Sequence, residues 1–255
     1  NRLGVYSGTI PSLFITHQLH YHLPLVAWPF ELAAVQLNGW LFGKYDRVIV
    51  PDNPPGPSSL AGKLSRADTT AIRSKVCYAG ILTSAEKRAT TNDLDYLFLI
   101  SGPEPQRTEL ERILLPQIER LEGTSAVLLG SPGRKNTHTS TPECMVKNYA
   151  TTQEKEELMN RARCIVCRSG YTSMMELAEL KKERALFIPT PGQTEQEYLS
   201  WYYESQGWFP STSQYRIDLL RDLGRTGTCR GFPDMPGTGE NVRKLYDEVL
   251  AGYLE

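Results

Sequence analysis

With 255 residues, 40% hydrophobic and 22% charged, the chain has an ordinary globular composition, which excludes a disordered or low-complexity protein. Lys plus Arg number 28 against 29 Asp plus Glu, a net charge of −1, so no global basic field predicts nucleic-acid binding. No run approaches the length of an uninterrupted apolar membrane span, which leaves only a peripheral membrane contact open.

The five cysteines, Cys77, Cys144, Cys164, Cys167 and Cys229, are odd in number and mostly set in apolar runs. They predict buried thiols in a reducing compartment, most simply the cytoplasm. Cys164 and Cys167 have C-x-x-C spacing, but a strand through Ile165 and Val166 sends them to opposite faces. The histidines, His17, His20, His22 and His138, form no metal-ligand spacing with them, and no metal is expected.

Asn1 is followed by no signal-type segment, so the start reads as internal. A strand is expected at Leu13-Phe14-Ile15, a helix from Trp28 to Phe42 broken near Gly39 and Gly43, and a strand at Asp46–Val50. This strand, helix, strand unit is the parallel-sheet building block. It is too small to cover both faces of a sheet, which predicts a partial N-terminal domain whose partner strands lie elsewhere. Trp28, Phe30, Trp40, Leu41 and Phe42 read as core before they read as a surface for a lipid-linked acceptor. Residues 53–65 are dense in Pro, Gly and Ser, predicting an exposed connection near a domain boundary. Val76–Gly80 reads as a strand entering the second half.

Strands then alternate with helices. Strands are expected at Asp95–Ile100, Ala126–Leu129, Glu143–Tyr149, Cys164–Cys167 and Ala185–Ile188. Helices are expected over Leu110–Leu121 despite Pro116, and over Thr151–Arg163, Thr172–Lys181 and Thr194–Gln206. Nearly all-apolar strands in this alternation indicate an α/β fold with a parallel, Rossmann-like sheet. Residues 241–255 carry Val242, Leu245, Tyr246, Val249, Leu250 and Tyr253 on one helical face and predict a terminal helix. The expected organisation is residues 1–75 as a partial N-terminal domain and linker, 76–240 as the second domain and 241–255 as that helix.

Ligands gather at the carboxyl ends of such strands. Three exits stand out. Ser101-Gly102-Pro103 offers a hydroxyl and a close backbone approach, or only a tight turn. Arg168-Ser169-Gly170-Tyr171-Thr172-Ser173 opens a helix whose amides suit a diphosphate, with Arg168 adding charge. Glu176 shares a helix face with Thr172 and Ser173 and could accept the hydroxyls of a ribose. An N-cap with a favourable first-turn carboxylate reads equally well from this segment. The third exit, Pro189 to Tyr198, brings Gln193, Gln196 and Glu197 to a helix start. There they serve either sugar hydroxyls or, through Thr194 and Glu197, a capping box.

Together these segments resemble the C-terminal donor-binding domain of glycosyltransferase family 28, a family of the two-domain GT-B fold; the match spans roughly Tyr96 to Tyr203. The resemblance implies that Ser169 and Gly170 hold the diphosphate of a UDP-sugar, Glu176 the ribose, and Gln196 and Glu197 the sugar. Ile15-Thr16-His17-Gln18 is similar to the family's acceptor-side segment, though its Glu is absent, which makes His17 the candidate catalytic residue. His20 and His22 could form a local polar cluster. The implied chemistry is an inverting transfer from a nucleotide-sugar co-substrate to an acceptor hydroxyl, with no cofactor. The sequence is read as lacking a D-x-D metal motif. A GT-B-fold sugar-nucleotide epimerase and a nucleotide-sugar-binding subunit that needs a partner are the competing readings.

Overall fold

A computed structural model describes residues 11–22, 28–133 and 140–253. His138 lies outside the described residues. The chain divides into two compact units, one formed by residues 1–84 with 234–255, the other by residues 85–233.

The first unit holds a three-stranded parallel sheet in the order β1 (Leu13–Ile15), β2 (Arg47–Val50), β3 (Val76–Tyr78). Two helices, α1 (Trp28–Phe42) and α2 (Thr70–Arg73), complete its N-terminal part. Helix α1 runs through Gly39 without a break. A Cβ there would lie 2.7 Å from Thr69 Oγ1, so the bare backbone is what admits the start of α2. Among the described side chains of this helix Val35 and Asn38 are the buried ones, and the Asn38 side-chain amide donates to Leu19 O. Phe30 and Trp40, expected in the core, are 70% and 59% exposed, because a helix apolar all round can bury only the face that meets a neighbour.

The Pro-rich stretch is no loose connection. Asp52 is fully buried and accepts from the amides of Asn53, Leu60 and Ala61 and from the hydroxyls of Ser59 and Ser65, at 2.7 to 3.1 Å. The loop is wound around one carboxylate, and Leu60, Ala61 and Leu64 are buried beneath it. The boundary expected after residue 75 consequently falls at 84/85, and β3 pairs with β2 instead of opening the second unit.

Helix α8 (Thr238–Leu245) also packs in the first unit, where Asn241 Nδ2 donates to Ile81 O at 2.9 Å and Leu245 joins Ile49 and Ala79 in a small core. Gly80 is required here. Its φ of +70° is left-handed, and a Cβ would fall 2.5 Å from the Asn241 carboxamide. Val242 and Tyr246 of the expected apolar face are exposed, and the chain widens into a π turn over Tyr246–Leu250.

The second unit is the Rossmann-like one. Its strands are β4 (Leu94–Leu99), β5 (Ser125–Leu128), β6 (Cys144–Lys147), β7 (Ala162–Cys167) and β8 (Ala185–Phe187). All are parallel, in the order β6-β5-β4-β7-β8. Helices α3 (Gln106–Ile118), α4 (Thr152–Arg161), α5 (Tyr171–Glu179) and α6 (Thr194–Ser205) connect them, followed by α7 (Leu219–Gly224). Pro116 is carried inside α3. The core between α3, α7 and the sheet includes Phe98, Ile100, Leu110, Leu114, Val127, Val166, Leu186 and Leu219. Cys164 and Cys167 are buried thiols, pushed up to about 11 and about 12 by desolvation.

Thr151 caps α4 in a full capping box with Glu154, whose carboxyl also meets Lys147 Nζ at 2.8 Å. The Lys147 hydrogen bond, then those to Thr151, pull Glu154 from 4.5 to about 2. A depressed carboxylate stabilises the fold above its unfolded pKa, and that contribution fades as pH falls towards the folded value. Glu154→Gln should therefore be less stable than the parent chain at neutral pH, the gap closing as pH falls through about 2, as read by urea unfolding at a series of pH values. Thr151→Ala should cost about 1 kcal/mol in the same measurement.

Candidate functional site

The strand order reverses between β4 and β7, so the exits of these two neighbours flank the crevice where open parallel sheets bind ligands. Ser101-Gly102 leaves β4, Arg168-Ser169-Gly170 leaves β7, and Pro189-Thr190 leaves β8 beside them. The three sequence-predicted exits do converge. Gly102, at φ +122°, is a position favouring glycine, and a Cβ there would lie 3.5 Å from Thr190 Oγ1 and 3.7 Å from Arg168 Nε.

Arg168 is the centre of this arrangement. Its Nε donates to Ser101 O (3.2 Å), Nη1 to Ile188 O and Pro189 O (both 3.1 Å), and Nη2 to Gln106 O (3.1 Å) and Gln214 Oε1 (2.6 Å). All five guanidinium N–H groups are thereby satisfied by protein. Burial draws its pKa down to about 10, still well above neutrality. The Arg168 side chain therefore ties three strand exits and the start of α3 together, and offers a ligand positive potential rather than a donor.

Ser169 likewise spends its side chain within the protein. It is fully buried, its Oγ donating to Gln196 O at 2.8 Å and accepting from Ser200 Oγ at 2.8 Å, so its hydroxyl fastens α6 to the β7 exit. The amides that follow are differently placed. Gly170 is the N-cap of α5 with no side-chain cap, and Met174 N–H is the first to close a helical bond, onto Gly170 O (3.2 Å). Among the described residues the N–H groups of Gly170, Thr172 and Ser173 find no acceptor. Gly170 has φ −73°, which any residue adopts, and a Cβ on it would meet only Gln196 Nε2, at 4.0 Å. Neither its backbone nor close packing demands glycine at this tip.

Glu176 lies one turn into α5 and receives Lys155 Nζ on both oxygens, at 2.6 and 2.7 Å. Lys155 of α4 is the residue that sequence reasoning missed, since nothing in the chain links positions 21 apart. Gln196 Oε1 accepts from Thr190 N–H (2.9 Å) and its Nε2 donates to Gln193 Oε1 (2.5 Å). Glu197 accepts from Gly192 N–H (2.9 Å), and the Thr194–Glu197 capping box does not form: α6 starts at Gln193 with no side-chain cap. Glu197 also lines a groove of about 330 Å³ with Pro189, Pro191, Ser200 and the 63% exposed Trp201. Thr190 Oγ1 is buried and finds no hydrogen-bond partner among the described residues, directly beside Gly102.

One D-x-D spacing, Asp93-Leu94-Asp95, does occur, contrary to the sequence reading. It opens β4 at the amino end of the sheet, where Asp93 pairs with Arg161 (2.7 Å) and Asp95 with Arg163 (2.9 Å), away from the exits. In the first unit, His17 follows β1 at the carboxyl end of its sheet and is partly buried. His20 lies 2.9 Å from Asp68, an ion-pair distance off hydrogen-bond geometry.

Solved structures share this architecture, and it defines the chain's class as GT-B-like, with two parallel-sheet units. The glycotransferase of kitacinnamycin superposes with a TM-score of 0.53 at 11% identity, covering 89% of this chain and 57% of that one. The calicheamicin glycosyltransferase CalG4 gives 0.53 at 12% identity, covering 95% and 66%. MurG of Acinetobacter baumannii gives 0.51 at 14% identity, covering 94% and 67%. The chain thus spans 57 to 67% of the length of these three structures, and the likeness is one of fold. No protein-family model and no curated protein sequence matches it.

If Arg168 is the tie between exits, Arg168→Lys, which cannot reach five acceptors at once, should lower unfolding stability by roughly 2–3 kcal/mol. A urea midpoint equal to that of the parent chain would refute the tie.

Proposed function

We propose that this chain is a glycosyltransferase moving a sugar from a nucleoside-diphosphate donor, UDP in the simplest case, to an acceptor hydroxyl, with inversion and without a metal. The observation that carries the reading is the uncapped start of α5 at the β4/β7 crevice, where three unpaired amides project past a glycine that the protein itself does not need. A side chain at Gly170 would obstruct approach to those amides; its absence suits a closely held diphosphate.

In this reading the diphosphate lies against the amides of Gly170, Thr172 and Ser173, with the hydroxyls of Thr172 and Ser173 beside it. Charge builds on the leaving diphosphate as the glycosidic bond breaks, and fixed amide dipoles stabilise it without reorganising. Arg168 adds potential from below. Glu176, held by Lys155, accepts the ribose hydroxyls through lone pairs the ammonium leaves unused. Ser101 and Thr190 line the approach, Thr190 with a hydroxyl that lacks a partner in the protein. The sugar is assigned to Gln193, Gln196 and Glu197, with the groove beside Trp201 offering the apolar face on which pyranose rings stack. The proposed base for the acceptor hydroxyl is His17, at the carboxyl end of the first unit's sheet. The acceptor is a small molecule, a glycan or a lipid-linked group, and a reducing cytoplasm is the expected setting.

UDP at a hundredfold excess over Kd should stabilise the chain by about 2.7 kcal/mol, raising Tm by several degrees in scanning fluorimetry. Glu176→Ala should lose most of that shift. No response to any nucleoside diphosphate from the folded chain would remove the donor site.

His17→Ala should cut sugar transfer by 10²-fold or more while leaving the UDP-induced Tm shift intact. An unchanged rate would take the base role from His17, and release of a free epimerised sugar would favour the epimerase reading.

A further inference from the structure

The second unit carries another concavity at the opposite end of the same strands. Helix α4 ends, β4 and β7 begin, and the chain turns out of α5 around a cavity of about 550 Å³. Six cations line it, Lys87, Arg88, Arg163, Lys181, Lys182 and Arg184, with Glu183 as the one carboxylate in the lining. Six residues of β4 separate this end from the donor crevice, a distance of about 20 Å.

Part of the charge has a structural employment. Lys182 Nζ donates to Asn160 O and Ala162 O, both at 2.8 Å, closing off the carbonyls at the end of α4. Arg88 meets Glu156 at 2.8 Å and Arg163 meets Asp95 at 2.9 Å. Among the described residues Lys87 and Arg184 have no carboxylate within ion-pair distance, and both are exposed at the cavity. Helix capping explains neither. Burial and then repulsion from Lys87 pull the Lys182 ammonium down to about 8, so the cluster holds like charges close together. The turn that delivers residues 181–184 to the cavity is a Schellman closure, Lys182 N–H to Leu177 O and Lys181 N–H to Ala178 O, both 3.0 Å. Its left-handed position is occupied by Lys181 at φ 50° where glycine is the ordinary residue.

We propose that this cavity is a second binding site, for a ligand carrying two or more phosphate groups, with Lys87 and Arg184 as the residues that engage them. An anion of that kind supplies counter-charge to Lys87 and Arg184, and the cavity is large enough for a sugar bisphosphate or a phosphorylated lipid headgroup. Neutral and cationic ligands are disfavoured by the same field.

Calorimetric titration of inorganic tripolyphosphate into the full chain saturated with UDP isolates this site from the donor crevice. Binding is expected, weakened at least tenfold in Lys87→Glu/Arg184→Glu, with the Tm of the unliganded variant unchanged because both side chains are exposed. Lys87→Glu/Arg184→Glu should keep the parent's UDP-induced Tm shift, which separates the proposal from the donor-site reading. No binding by the UDP-saturated chain, or equal affinity in the double variant, would overturn it. Flotation with phosphatidylcholine vesicles containing phosphatidylinositol 4-phosphate identifies the source. Flotation lost in the double variant assigns a lipid headgroup, whereas tripolyphosphate binding without flotation assigns a soluble phosphate; each supports the site.

Discussion

The crevice between the β4 and β7 exits depends on one buried guanidinium. Three parallel strands that end side by side leave carbonyl oxygens at their exits, and these repel one another unless a donor lies among them. Arg168 answers with five N–H groups in one plane, reaching carbonyls beyond β4 and β8 and at the start of α3. A lysine could not span that set. Because the loops are held from beneath, the face above them is free to be irregular: Gly102 adopts its left-handed turn and Thr190 keeps an unpaired hydroxyl without the exits collapsing onto each other.

The same division of labour runs through the neighbouring residues. Ser169 and Ser200 lock α6 to the β7 exit, and Gln196 fixes the Thr190 loop, so side chains that look ligand-directed in sequence are largely spent on rigidity. What is left unspent is backbone. The amides at the start of α5 have lost no donor capacity to a cap, and Lys155 keeps the Glu176 carboxylate in one orientation near them. A set of donors made from main chain on a braced sheet is preorganised, so it can meet an anion without reorganising.

At the amino end of the strands the electrostatics has the same sign, but its origin differs. There the potential comes from side chains, not helix dipoles, and the helix ends themselves are negative. Lys182 neutralises one of them, yet Lys87 and Arg184 exceed what the carbonyls need. N–H donors and cations thus stand at the two ends of the second sheet's strands, amides at one and ammonium and guanidinium groups at the other.

The alternation of apolar strands with amphipathic helices, read from the sequence alone, determined the parallel α/β architecture of the second unit and the three exits where ligands gather. Those are local properties: each strand's apolar run and each helix's period are written in neighbouring residues. Tertiary structure alone decided which polar groups at those exits are consumed and which remain. Arg168, Ser169 and Glu176 carry the chemistry that a ligand would want, but their partners, at Gln214, Ser200 and Lys155, stand 46, 31 and 21 residues away. The same holds for Asp52, which turns a breaker-rich stretch into a wound loop, and for the exposure of Phe30 and Trp40, since a side chain's burial depends on what folds against it. Hydrogen-bond capacity is finite and is spent in three dimensions, so a residue's type shows what it can donate or accept, and only its neighbours in space show whether anything is left for a ligand.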